Sequence, residues 1–206
     1  MIEVRTMKLS LLWDMEEFLY SEASQQRREK ASRFLHADDR LRCLAAGYLL
    51  KRCLPGYSEA LHYMNVNGKP FMRDGVPFSI SHGGNYIALA WCEGAGDIGV
   101  DVEPIRETEY YRAILPRFMT SGELNAVGEN AKDIVRVWTR KESLYKCVGG
   151  RISDVRELPE VLEKRVLFGG AECFLSSWEK DGHMFSVALR DFDQSMEFHI
   201  KPVGIL

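Results

Sequence analysis

Two stretches of this chain read alike at a distance of about 100 residues, and that repeat constrains the fold more than any other feature. The first runs from Arg33-Phe34 through a helical segment to the alternating run Tyr86-Ile87-Ala88-Leu89-Ala90. The second runs from Arg117-Phe118 through a helical segment to Phe185-Ser186-Val187-Ala188-Leu189. A helix followed by strands, twice over, predicts an α+β fold of two pseudo-symmetric half-domains. Their expected extents are residues 1–100 and 101–206, which makes the seam an attractive place for a site. Two unrelated runs of common elements would give the same pattern.

Composition narrows the class. At 206 residues, 46% hydrophobic and 28% charged, the chain can bury a core without disulfide or metal staples. A formal charge of −3 excludes the global basic footprint of a nucleic-acid binder. The five cysteines (Cys43, Cys53, Cys92, Cys147 and Cys173) are odd in number and form no C-x-x-C pair. That argues against a disulfide framework or zinc site and for a reducing, cytoplasmic setting. Leu9 to Trp13 is too short for the apolar core of a signal peptide, and no apolar run nears the ~18 residues of a membrane span.

Periodicity places the elements. Residues 2–13 read as a strand and 24–54 as helix, broken at His36-Ala37-Asp38-Asp39 with Asp38 or Asp39 as the expected cap. Asn67-Gly68-Lys69-Pro70 is a turn signal. Three short strands follow at 78–81, 86–91 and 98–102, parted by His82-Gly83-Gly84-Asn85 and Glu93-Gly94-Ala95-Gly96-Asp97. Helical patterns cover 108–127, broken near Thr120-Ser121-Gly122, and 131–147, stopped by Gly149-Gly150. Strands return over 165–203, with a turn at Lys180-Asp181-Gly182.

Five motifs can carry chemistry. In Gly99-Val100-Asp101-Val102-Glu103-Pro104, strand alternation sends Asp101 and Glu103 to one side, roughly 7 Å apart, within reach of one hard cation. A solvated strand end reads the same. In Trp138-Thr139-Arg140-Lys141-Glu142-Ser143-Leu144-Tyr145-Lys146, Glu142 and Lys146 are helical neighbours with Trp138 one turn earlier. They make either a routine surface pair or a third carboxylate with phosphate-binding lysines. In Phe78-Ser79-Ile80-Ser81-His82-Gly83-Gly84, Ser81 and His82 face apart, so they form no hydrolase dyad. His82 is a solvated turn residue or a phosphate donor. Asn67-Gly68-Lys69-Pro70-Phe71 is a plain turn or a ligand-lining one. Residues 27–52 hold eight basic residues against three acidic ones: a solvated helix face, or a grip on a phosphorylated ligand or acidic partner.

The order of these motifs is more specific than any one of them. G-K-P, F-S-I-S-H, G-V-D-V-E and W-T-R-K-E-S-x-x-K, in that sequence, resemble the 4'-phosphopantetheinyl transferases of the surfactin-synthetase-activating type. Arg28 to Phe34 is similar to that family's basic N-terminal helix, and the match spans roughly residues 25–150. The resemblance implies two similar α+β halves with coenzyme A at the seam. It implies transfer of the phosphopantetheine arm to a serine of an apo acyl or peptidyl carrier protein, releasing 3',5'-ADP. Asp101, Glu103 and Glu142 would hold Mg²⁺ (Mn²⁺ also suits oxygen ligands), and Glu142 would be general base. Lys141 and Lys146 would bind pyrophosphate oxygens, with Lys146 aiding the leaving group. His82, Arg27, Lys30 and Arg42 would hold the 3'-phosphate. Gly68, Lys69 and Pro70 would line the adenine pocket through their backbone, and Ser81 would sit beside the phosphates. Trp138 is expected to pack the helix.

Ser79 and Gly83 stand where the family often has Asn and Ser, Arg27 where a lysine is common, and Gly149-Gly150-Arg151 matches only loosely. Arg112, Arg117, Phe118 and Met119 are expected to dock the acidic carrier. A site made within one chain implies a monomer, with no membrane or nucleic-acid partner. Two other readings use the same residues: a metal-dependent nucleotide pyrophosphohydrolase, and a non-catalytic coenzyme A-binding scaffold for carrier proteins.

Overall fold

A computed structural model describes residues 1–93, 96–150, 157–191 and 198–203. Gly94, Ala95 and Arg151 of the turn readings lie outside them. In chain order the elements are β1 (Ile2–Lys8), α1 (Glu16–Glu22), α2 (Gln25–Ala31), α3 (Ala37–Cys53), β2 (His62–Met64), β3 (Pro70–Met72), β4 (Phe78–Gly83), β5 (Tyr86–Cys92) and β6 (Ile98–Pro104). Then come α4 (Thr108–Arg112), α5 (Leu115–Phe118), α6 (Ser121–Val127), α7 (Ala131–Cys147), β7 (Arg165–Phe168), β8 (Ala171–Lys180), β9 (His183–Arg190) and β10 (Phe198–Pro202). The fold is α+β.

The strands form two four-stranded sheets, β10-β1-β5-β4 and β6-β9-β8-β7, and a β2-β3 hairpin. Within them the order β1-β5-β4 recurs as β6-β9-β8, antiparallel at each step. β10 lies beyond this likeness, pairing in parallel with β1 at the edge of the first sheet.

Strand alternation builds the layers. On β5, Ile87, Leu89 and Trp91 meet α3 on one face. Tyr86, Ala88 and Ala90 face the second sheet on the other, where they meet Val100 and Val102 of β6 and Phe185, Val187 and Leu189 of β9. Met184 and Ala188 of β9 turn the opposite way, into the core under α7 with Ile134, Val137 and Leu144. The order is helix, sheet, sheet, helix, and both central strands are covered on both faces, which explains their near-continuous apolar runs.

Two glycines bring the layers close enough to make a site. Where β4 runs beside β6, a Cβ on Gly83 would fall 1.9 Å from the Val102 carbonyl oxygen. Where α7 crosses β6, a Cβ on Gly99 would fall 1.8 Å from the Ser143 carbonyl oxygen. Neither distance is possible for a real side chain, so backbone approach requires glycine at both positions. Gly83 is thus packed against β6. Ser79, another departure from the pattern of the resembled family, accepts the Val100 N–H at 3.1 Å through Oγ.

Three local readings change. β1 ends at Lys8; residues 9–15 form two 3₁₀ turns leading into α1, which the short apolar pattern did not separate from the strand. The cap of α3 is His36, without a side-chain bond, while Asp39 sits in the first turn and accepts from Arg42. The helical pattern over 108–127 breaks twice, because Pro116 starts a new turn at α5 and Thr120 caps α6 with a capping box. α7 has its expected bounds: Asn130 caps its start, and Gly149 at φ +73° closes its end. No helix of the described residues is long and apolar enough to cross a membrane.

Candidate active site

β6 and α7 supply the reactive cluster. Val100 and Val102 point into the inter-sheet core, so alternation turns Asp101 and Glu103 the other way, toward α7 and β4. Ser81 Oγ, from β4, donates to Asp101 Oδ1 at 2.8 Å. Lys146 Nζ, from α7, donates to Asp101 Oδ1 at 2.6 Å and to Ser81 Oγ at 2.8 Å. The indole of Trp138, two turns earlier on α7, acts on the Glu103 carboxylate and favours its ionised form. Glu142 lies between Trp138 and Lys146 on the same helix face and is buried.

Negative charge is crowded here. Burial, with Asp101 next in weight, pushes Glu142 up to about 8 and Glu103 up to about 7, against the partial relief of Lys146. Asp101 Oδ2 and Glu142 Oε1 are buried without a hydrogen-bond partner. Unmatched oxygens of this kind suit a hard cation such as Mg²⁺ in chemistry. Among the described residues, no group of three metal-ligating side chains is already gathered to hold an ion.

A cleft runs from this cluster to a cationic pocket. One end is lined by Gly68, Lys69, Pro70, Ser79, Ile80, Glu142 and Lys146. Pro70 and Ile80 carry it on to a pocket lined by Arg27, Lys30, Arg42, His62 and His82. Burial and the neighbouring cations lower both imidazoles: Arg27 and Lys30 act on His62, Arg42 and Lys146 on His82. Arg27, Lys30 and Arg42 together favour an anion there.

Most expected site residues therefore meet along one cleft, with three amendments. The Lys69 backbone lines the cleft, but its ammonium turns away, donating to the Cys147 carbonyl at 2.8 Å and pairing with Asp97 at 3.3 Å. Asn65 and Asn67 donate to the Gly149 carbonyl beside it, so this turn is stapled to the end of α7. Lys141 does not reach the cleft. Helical rotation carries it into the core, where it is fully buried and pairs with Glu123 at 2.8 Å. Glu123 also accepts from the Thr120 and Val161 backbones, tying α6 and the 161 loop to α7. Phe118 and Met119 are buried too, Phe118 edge-on to Trp138 at 4.5 Å between centroids, so neither is free to dock a partner. Arg112 and Arg117 are exposed.

Sequence reading missed two contributors. His62 joins the pocket from a three-residue strand with no motif to mark it. Trp138 packs the helix as expected, yet its indole also favours the ionised Glu103 carboxylate, and no spacing marks that contact between α7 and β6.

The Lys141 geometry gives a test. Lys141→Met leaves a buried carboxylate unpaired and is expected to cost about 3–5 kcal/mol in urea unfolding, while the folded fraction keeps its activity. Activity lost with unchanged stability would place Lys141 in the site after all.

Residues 97–188 match the model of the 4'-phosphopantetheinyl transferase superfamily. The chain is 32% identical to 4'-phosphopantetheinyl transferase AcpT of Salmonella typhi over 114 residues, which cover 52% of this chain and 58% of that one. It is 31% identical to 4'-phosphopantetheinyl transferase ffp of Bacillus subtilis, over 66% of this chain and 64% of that one. With 4'-phosphopantetheinyl transferase Sfp of Bacillus subtilis it shares 28% identity over 63% and 62% of the two chains. The matches thus span about 60% of the length of these relatives. Residues 97–188, the segment that supplies Asp101, Glu103, Glu142 and Lys146, are thus similar to the 4'-phosphopantetheinyl transferase superfamily.

Proposed function

We propose that this protein transfers the 4'-phosphopantetheine arm of coenzyme A to a serine hydroxyl of an apo carrier protein, releasing 3',5'-ADP. The observation that carries this reading is a cationic pocket that shares Pro70 and Ile80 with the pocket at the carboxylate–lysine cluster. Coenzyme A has the matching polarity, with a 3'-phosphate at one end and a pyrophosphate further along.

The roles follow from position. Arg27, Lys30, Arg42 and neutral His82 hold the 3'-phosphate, and the 68–70 backbone lines the adenine. Asp101, Glu103 and Glu142 would hold Mg²⁺, which when bound offsets the charge of the pyrophosphate. Glu142 takes the proton from the carrier serine. The serine oxygen forms a bond to the proximal phosphorus as the bond to the 3',5'-ADP oxygen breaks. Lys146, held by Asp101 and Ser81, stands ready to donate to that departing oxygen. The seam between the two halves lies where β4 meets β6, within a monomer of the cytoplasm. The chain divides near residue 100, in or just before β6. Arg112 and Arg117 remain candidates for meeting an acidic carrier.

Chromatography of a mixture of protein, apo carrier, coenzyme A and Mg²⁺ tests this. Appearance of 3',5'-ADP that needs the carrier and stops with EDTA is expected. Carrier-independent release of free 4'-phosphopantetheine would replace the transferase with a pyrophosphohydrolase.

A further inference from the structure

The pocket that would read the 3'-phosphate takes Ile80 and His82 from β4, and the turn that follows β4 is held from the other sheet. His183, the first residue of β9, is the holding group. Its Nε2 accepts the Asn85 N–H at 3.2 Å, and its Nδ1 lies 2.8 Å from the Asp181 carbonyl oxygen. An amide N–H only donates and a carbonyl only accepts, so both contacts are met by one form: neutral imidazole with its proton on Nδ1. The ring packs edge-on to Tyr86 at 5.0 Å. Gly84, at φ +50°, leaves room for it; a Cβ there would fall 2.5 Å from Nε2.

The turn is fixed from three sides. Asn85 Oδ1 accepts the Ser10 N–H at 2.7 Å, and the Leu9 N–H donates to the Asn85 carbonyl at 2.9 Å. The Gly84 carbonyl accepts from Arg42 Nη2 at 3.4 Å. Arg42 and His82, two residues before Gly84, are neighbours in the pocket. Arg42 Nη1 also donates to Asp39 Oδ1 at 2.7 Å, so the turn adds a second hold on Arg42 and follows directly on His82. Tyr86 Oη donates to Asp181 at 2.5 Å, which fixes the turn that carries His183.

We infer that His183 is a positioning residue for coenzyme A selection: by clamping the 84–85 turn it aligns Arg42 and His82 on the 3'-phosphate without touching it. This rests on the cleft reading given under Proposed function. Loss of the clamp costs binding energy only when the ligand carries the 3'-phosphate, and that separates it from a general role in stability.

Calorimetric binding of coenzyme A and of 3'-dephospho-coenzyme A to the full chain tests it. The wild-type protein is expected to prefer coenzyme A. His183→Leu should weaken coenzyme A about tenfold, in line with one displaced hydrogen-bonding wall, and change the dephospho ligand less than twofold. His183→Gln, which keeps an acceptor for Asn85, should recover most of the loss. Gly84→Ala attacks the same contact from the other side and should repeat the selective loss, whether or not His183→Leu folds. Equal weakening of both ligands, or none, in the folded variants overturns the inference and leaves the cleft reading standing. A wild-type protein that does not distinguish the two ligands overturns both.

Discussion

Glu142→Gln is expected to lower transfer by roughly 10³-fold while leaving the fold intact. The substitution keeps the volume and removes the charge. It takes away the proton acceptor and one oxygen donor of the cation set, yet Glu142 Oε1 has no hydrogen-bond partner to lose. Stability should move the other way, most clearly in chelator. Burial and Asp101 raise the folded-state value to about 8 from an ordinary 4.5, so the folded state holds that proton more tightly than the unfolded chain does. The stability tied to that proton is complete below about 4.5 and is lost as pH rises toward 8. Glutamine cannot lose it. The variant should therefore gain in melting temperature relative to the native protein between pH 5 and pH 8. Native-level transfer by the variant would remove Glu142 from the mechanism. A stability difference that is flat with pH would deny the charge crowding.

Gly99→Ala is expected to cost about 3 kcal/mol or more and to abolish activity in what folds. The added methyl meets the Ser143 carbonyl at 1.8 Å and the Cys147 nitrogen at 2.5 Å, both backbone atoms that cannot swing aside. α7 would have to lift from β6, parting Lys146 from Asp101. Gly68→Ala is the control. At φ +85° with no atom within 4 Å, it carries only the strain of a left-handed backbone, about 1–2 kcal/mol. Urea midpoints at constant m-value compare the two. A cost for Gly99→Ala no larger than for Gly68→Ala would mean that the close helix–strand approach does not exist.

What could be read from the chain beforehand was what periodicity and spacing encode. Alternation on β6 separated Val100 and Val102 from Asp101 and Glu103, and helical spacing put Trp138, Glu142 and Lys146 on one face. α7 was legible because its apolar stripe is regular and Gly149-Gly150 stops it, while its Asn130 cap came only with the structure. What was not legible depends on partners distant in sequence. Lys141 lies beside Glu142 in the motif, but Glu123 in the core decides where its ammonium goes. Phe118 and Met119 look available until Trp138 and the α7 core cover them. Lys69 could not be known to serve α7 rather than a ligand, because the carbonyl that holds it belongs to Cys147. His62 and His183 sit in short or plain strands, and only tertiary contacts give them importance.

Intact-mass measurement of an apo carrier protein, after incubation with this chain, coenzyme A and Mg²⁺, tests the central claim most directly. The account predicts a gain of one phosphopantetheine arm, mapped by fragmentation to a single serine, absent with EDTA and with Glu142→Gln. Coenzyme A bound in the cleft, with no mass gained by acyl or peptidyl carriers alike, would contradict it and leave a binding scaffold in place of an enzyme.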